Sequence, residues 1–190
     1  MQFPLRGRRV DLVPMARGFV PDYVRLLSDP SVARWTLHIP HPYSKRDALG
    51  WLAHATRELR AGSSLGLTVV RRSDGAVLGG AGLHHLDPAS ECGEVGYWLG
   101  KPFRGQGFAT EAVNVLVRAG FGQLRLHRVE ALVLPRNRAS RRVLGRCGFL
   151  YEGRIRDEVR KDGRWQTTLL FSRLAGDPPA ARRRRAPRLR

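Results

Sequence analysis

The chain lacks most devices that would give a 190-residue protein an obvious chemistry. It has two cysteines, Cys92 and Cys147, too few and too far apart for a disulfide framework or a zinc ribbon. They read as two reduced thiols of a cytoplasmic protein. No His/Cys/Asp/Glu spacing suggests a metal site, so none is expected. No stretch approaches the ~18–20 apolar residues of a membrane helix. The first residues, MQFPLRGRRVDLVP, contain no apolar core of a secretory signal. Internal repeats are absent, and nothing marks a second domain. Acidic residues are scarce, 16 against 34 basic ones, for a formal charge of +18. Lysine is scarcer still: Lys45, Lys101 and Lys161 stand among 31 arginines, so the charge is fixed across physiological pH.

What is present points to one folded domain. Hydrophobic residues make up 42% and aromatics 8%, which excludes a wholly disordered chain. The length suits a single domain with a full core. The charge is uneven. Residues 175–190, AGDPPAARRRRAPRLR, carry six arginines and one aspartate, and read as a basic disordered tail. Residues 1–174 hold 28 basic residues against 15 acidic ones, a net +13. Such a surface admits phosphate-rich partners, and the tail admits weak polyanion binding. No RNA-binding motif and no aromatic–basic interleaving accompany it.

The hydropathy pattern alternates between strand and helix. Residues 8–15 suggest a first strand and Pro21–Leu27 a short helix closed by Asp29-Pro30. Residues 31–43, with Trp35, Pro40, Pro42 and Tyr43, read as an irregular aromatic loop. Ser44 and Asp47 approximate a capping box ahead of a stripe from Ala48 to Leu59 that ends near Gly62. Strands follow at 64–71, 76–86 and 92–99, then a long helix from about Gly107 to Phe121. Arg128–Leu134 is a buried strand, Ser140–Arg146 a short helix stopped by Gly148, and 150–174 a hairpin turning at Lys161-Asp162-Gly163. This order predicts an α/β sandwich on a mixed sheet. His84 and His85, adjacent on one strand, should face opposite ways. Trp51 and Trp165 read as core or sheet-face residues.

The most informative segment is Lys101-Pro102-Phe103-Arg104-Gly105-Gln106-Gly107-Phe108-Ala109-Thr110, between a strand and the long amphipathic helix. Small residues at 105, 107 and 109 let the backbone approach a ligand closely. The helix start offers free N–H groups and a positive dipole end, and Arg104 and Lys101 add charge. Together these predict a phosphate or pyrophosphate cradle. The Walker A spacing is absent, and Thr110 stands where a dinucleotide fingerprint needs glycine.

Arg104-x-x-Gly107-x-Ala109 resembles the R/Q-x-x-G-x-G/A signature of the GNAT N-acetyltransferases. Glu94-Val95-Gly96-Tyr97-Trp98-Leu99 upstream resembles the E-x-G-Y-W strand of their RimJ/RimL-like branch. Asn137-x-x-Ser140-x-x-Val143 and Gly148-Phe149 resemble that branch's downstream segment, and Leu27-Ser28-Asp29-Pro30 with Trp35 its first helix and loop. The matches run in order across roughly residues 8–174. The resemblance implies the GNAT acyl-CoA N-acyltransferase fold: a central mixed, mostly antiparallel sheet of about six or seven strands flanked by helices. It implies a single domain over 1–174 and acetyl-CoA as co-substrate. The acceptor would be an amine, either a protein N-terminus of the ribosomal-protein type or a small molecule. A succinyl-type donor and a homodimer are the variants it leaves open. A reading of another class is a silent basic RNA- or ribosome-binding module on the same scaffold.

In that resemblance each residue gains an expected part. Backbone N–H groups of Gly105, Gln106, Gly107, Phe108, Ala109 and Thr110 would hold the pyrophosphate, with Arg104 orienting it. Trp98, Leu99 and Gly100 would pair with the pantetheine arm and polarise the thioester. Asn137 would bond the pantetheine or cap its helix. Glu94 is the expected base, with Glu91 as substitute. Ser140 is the expected acid for the leaving thiolate or a mere helix cap, with Tyr151 as substitute. Trp35 and Tyr43 would line the acceptor mouth.

Overall fold

The computed structural model describes residues 2–178. One eight-stranded sheet organises them, in the order β1-β2-β3-β4-β5-β6-β8-β7. The strands are β1 (Leu5–Arg6), β2 (Val10–Pro14), β3 (Leu65–Arg71), β4 (Val77–Asp87), β5 (Cys92–Leu99), β6 (Arg128–Val133), β7 (Leu150–Lys161) and β8 (Arg164–Leu174). The expected six or seven strands become eight because the two-residue β1 adds an edge that no periodicity could announce. The helices are α1 (Val20–Leu27), α2 (Pro30–Ala33), α3 (Lys45–Ala61), α4 (Phe108–Gly122) and α5 (Arg138–Arg146).

Local chemistry explains the boundaries. The Ser44 hydroxyl accepts from the Asp47 N–H, the Asp47 carboxylate accepts from the Ser44 N–H, and α3 ends on left-handed Gly62. α5 begins at Arg138, two residues before the expected start, because Asn137 is the cap: its side chain accepts from the Ser140 N–H at 3.1 Å. The β7–β8 hairpin turns on Asp162-Gly163 with both φ positive, as a two-residue loop requires. Four residues beyond the expected boundary at 174 are described. Ala175 N–H donates to the His127 carbonyl at 2.9 Å, and the Leu174 N–H donates to Asp177. The domain's contacts therefore extend to Asp177. The six arginines of the expected tail lie outside the described residues.

α4 covers one face of the sheet, burying Phe108, Ala112, Val113, Leu116 and Val117 against Leu83, Val95 and Val129. α1 and α3 cover part of the other face, around Tyr23, Leu26 and Ala48. Truncating fully buried Leu116 to alanine would cost ~2–5 kcal/mol.

Every neighbouring strand pair is antiparallel except β5 with β6. That parallel pair holds only from Cys92 to Glu94, opposite Arg128 to Glu130, although both strands run on. Beyond Glu94 the sheet splits.

Candidate active site

The split in the sheet is the floor of a cavity of about 1260 Å³. This exceeds the ~300–1,000 Å³ of most small-ligand pockets. At one end lies the Gly105–Thr110 loop, and at the other an aromatic mouth with Trp35, Tyr43 and Trp51.

Strand alternation aims the backbone of β5. Gly100 N–H donates across to the Leu78 carbonyl at 2.9 Å, so even-numbered groups of β5 face β4. The groups of Tyr97 and Leu99 therefore turn into the split, where β6 no longer pairs with them. β4 permits this by carrying glycine opposite the large residues. A Cβ on Gly80 would stand 2.6 Å from Trp98 Nε1, so only glycine leaves room for the indole. Of the three expected donors Trp98, Leu99 and Gly100, the Leu99 N–H alone faces the cavity side. The Gly100 N–H is already bonded, and that residue abuts Leu26.

The glycine loop is shaped as the sequence predicts. Gly105 and Gly107 have φ of +78° and +84°, and Gly107 caps α4 without a side-chain bond. The first N–H groups of α4 thus lack helical partners, and Phe108, Ala109 and Thr110 border the cavity. The one carboxylate in that first turn, Glu111, faces away. It accepts from Arg9 N–H at 2.5 Å, Val10 N–H at 3.3 Å and Arg9 Nε at 3.0 Å. A smaller hollow beside Gly107 and Thr110 is lined by Arg8, Arg9, Arg118 and Arg146. Arg104 also does other work than expected. Its Nε donates to the Leu99 carbonyl at 3.0 Å and its Nη1 to Ser31 Oγ at 2.9 Å, tying the end of β5 to α2. Gln106 bonds the Pro102 carbonyl through its side chain and does not border the cavity.

Glu94 stands where the split begins. Burial raises its carboxyl above the usual range, and a contact with His85 Nδ1 at 3.3 Å works against that rise. On the α4 side, the Tyr97 hydroxyl meets Ser140 Oγ at 2.8 Å. Burial pushes the Tyr97 phenol up, so it stays protonated. With the Asn137 cap on the Ser140 N–H, these residues form one chain along the cavity wall. Neither substitute enters the site: Glu91 and Tyr151 do not border the cavity, and Tyr151 packs edge-on against Phe171.

A match to a family model settles the kinship. The model, described as an acetyltransferase (GNAT) domain, matches residues 9–150. The chain belongs to the GNAT family. The uncharacterized N-acetyltransferase p20 of Bacillus licheniformis is 32% identical over 149 residues, 77% of this chain and 82% of that protein. The ribosomal protein uS5-alanine N-acetyltransferase of Escherichia coli is 33% identical over 83 residues, 44% and 43% of the two chains. Several curated relatives are matched over about half their own length, 55%, 46% and 43% in three cases. Mycobacterium smegmatis RimJ, solved in complex with CoA-disulfide, superposes with a TM-score of 0.82 at 25% identity, covering 90% of this chain and 86% of that one. The eight-stranded architecture is thus a GNAT fold of the RimJ/RimL-like branch.

Four residues of this cavity were not placed there by the sequence. Tyr97 sat unremarked inside the E-x-G-Y-W strand. Trp51 is not a core residue: it is 42% exposed at the mouth, with ring centroids 5.2 Å from His54 and 6.3 Å from His84. His84 and His85 both border the cavity instead of facing apart, because His85 takes a φ of +49° at a bulge and alternation fails there. His84 bonds Ser64 Oγ at 2.7 Å, and burial lowers its pKa to about 4. Trp35 borders the cavity under the Arg34 guanidinium at 4.8 Å, and Tyr43 is mostly buried beside it. Both cysteines are free, and burial pushes Cys147 up to about 12, away from nucleophilic use. Among the described residues no group could hold a metal, and no helix is long and apolar enough to cross a membrane.

Proposed function

We propose that this chain transfers an acetyl group from acetyl-CoA to a primary amine, most naturally the N-terminal amine of a protein of the ribosomal type. The observation carrying the reading is the split between β5 and β6, which opens unpaired strand backbone directly beside a glycine-led helix start. An extended pantetheine arm with two amides suits that strand edge, and a pyrophosphate suits the N–H groups of residues 108–110. The arginine-lined hollow beside Gly107 adds positive field for a polyanionic co-substrate. Acetyl-CoA supplies an activated thioester, and the protein's residues do the rest.

Glu94 takes the proton of the attacking amine, directly or through one water. Its raised pKa makes it a stronger base than an exposed glutamate. The Leu99 N–H donates to the thioester oxygen as negative charge develops there. Ser140, supported by the Tyr97 hydroxyl, protonates the departing thiolate. That thiolate has a pKa near ~8.5, so its protonation assists without being indispensable. Trp35, Tyr43 and Trp51 wall the acceptor.

Carboxylates at this mouth are few and engaged. Asp47 is held in the α3 cap and Glu58 by the Ser63 hydroxyl at 2.6 Å, which leaves Glu94 facing the acceptor. The unpaired thiols suit the cytoplasm. Incubation with acetyl-CoA and a panel of N-terminal peptides, polyamines and aminoglycoside-like amines, following free thiol, tests the assignment. Thiol release with peptides supports it; release with polyamines alone replaces the acceptor; no CoA binding at all refutes it.

A further inference from the structure

We propose that His85 is the proton exit of the site, carrying the proton that Glu94 removes out to bulk water; this rests on the reading of Glu94 as the base. The acceptor amine is mostly an ammonium at neutral pH, with a pKa of ~7.7–8 at a chain terminus. Attack on the thioester requires the free amine. One proton must therefore leave to solvent in each turnover, and a second moves from the amine nitrogen to the thiolate sulfur. Glu94 accepts the first, and its side chain is only 25% exposed inside the cavity. To serve again it must lose that proton.

The backbone of β4 is deformed where this need arises. Pairing with β5 holds through His84 opposite Glu94, breaks, and resumes at Asp87 opposite Cys92. Within the break His85 adopts a φ of +49°, a left-handed conformation that side-chain-bearing residues seldom take. Regular alternation would turn its ring to the opposite face. The bulge instead brings Nδ1 to 3.3 Å from Glu94 Oε2 while the side chain stays 80% exposed. One nitrogen meets the carboxyl and the ring reaches water. A protonated Glu94 donates its O–H proton to the free Nδ1 of the neutral ring; the imidazolium then releases its Nε2 proton to water, and the resulting neutral Nδ1–H ring returns to the Nε2–H tautomer by exchange through solvent. Imidazole is the side chain suited to such relays near neutral pH.

The other titratable groups around Glu94 are placed for different tasks. His84, its cross-strand neighbour on β4, is held by Ser64. Glu158 of β7 accepts from Thr168 Oγ1 at 3.1 Å, and Glu130 of β6 is paired with Arg128 at 2.6 Å. His38, before α3, and His54, on α3, border the same cavity without a hydrogen bond to Glu94.

The test uses the full chain, saturating acetyl-CoA and an N-terminal peptide that the enzyme accepts. His85→Asn keeps a residue that tolerates the left-handed backbone, and His85→Gly opens space for added imidazole. Both should lower kcat roughly tenfold in dilute buffer, leave the KM for acetyl-CoA unchanged, and regain activity as imidazole or buffer concentration rises. The wild type should not respond to buffer. Loss without rescue would show His85 only positions Glu94 and would overturn the relay, as would wild-type rates in both variants. Glu94→Gln separates the two readings. If it retains full turnover, Glu94 is not the base and both fall; if it loses turnover while the His85 variants do not, only the relay falls.

Discussion

His84 gives a pH dependence whose size follows from its surroundings. The imidazole is half-buried beneath Trp51 and against the glycines of β4 and β5, and a Cβ on Gly82 would lie 2.8 Å from its Nε2. Burial is the main cause that lowers its pKa from 6.5 to about 4, followed by the nearby His85, His54 and His38. The folded state thus holds the neutral ring, while the unfolded chain binds a proton from about pH 6.5 downward. Above 6.5 the two states bind equally and the residue adds no pH slope. As pH falls from 6.5 to about 4, protonation favours the unfolded chain. At pH 5 the 1.5-unit gap below 6.5 corresponds to ~2 kcal/mol lost relative to pH 7.5. For a domain of this size that is a fall of ~4–8 °C in Tm. His84→Asn can keep a hydrogen bond to Ser64 Oγ and removes the titration. It will be less stable at neutral pH, because the ring leaves a cavity. The informative quantity is the slope. Thermal melts from pH 7.5 to 5 should show a shallower fall in the variant by about that 4–8 °C. Equal slopes would refute the claim that a shielded neutral imidazole sits in the cavity wall.

Tyr97→Phe should lower kcat by about tenfold or less and leave the KM for acetyl-CoA unchanged, and adding Ser140→Ala should cost little more, because the two hydroxyls act as one chain; stopped thiol-release rates measure both. Gly80→Ala drives a methyl into the Trp98 indole, so it should destabilise by ~1–3 kcal/mol in urea titration and weaken CoA binding. Glu152 is depressed to about 2, chiefly by Arg128 and then Ser172, so its contribution is present above ~4.3 and lost as pH falls toward 2. The pair is partly exposed, so Glu152→Gln should cost only about 1 kcal/mol at pH 7, a gap that closes on acidification. Cutting the chain after Pro178 should leave acetyl transfer unchanged and weaken only salt-sensitive binding to polyanions, read by heparin retention.

How far the sequence disclosed the site depends on the range of the forces that built each part. The glycine loop was legible because its chemistry is local: φ values of +78° and +84° demand glycine whatever lies around them, and the amphipathic run to Gly122 follows at once. The capping box of α3 and the hairpin at Asp162-Gly163 were legible for the same reason. What stayed hidden depends on how strands pair. Tyr97 and Ser140 are 43 residues apart and meet only because β5 and β6 are parallel neighbours whose ladder ends at Glu94. Arg104 was expected on a phosphate because it sits in the loop, but its reach to Ser31 across 73 residues could not be foreseen from spacing. The two histidines show the limit most sharply. Period-two reasoning separates them onto opposite faces, and one residue at φ +49° brings both to the same cavity. Histidine is among the side-chain-bearing residues that enter the left-handed region most often, but it does so too seldom for the sequence to announce a bulge there. A left-handed residue that breaks strand alternation beside a candidate base is where local rules are expected to yield to function.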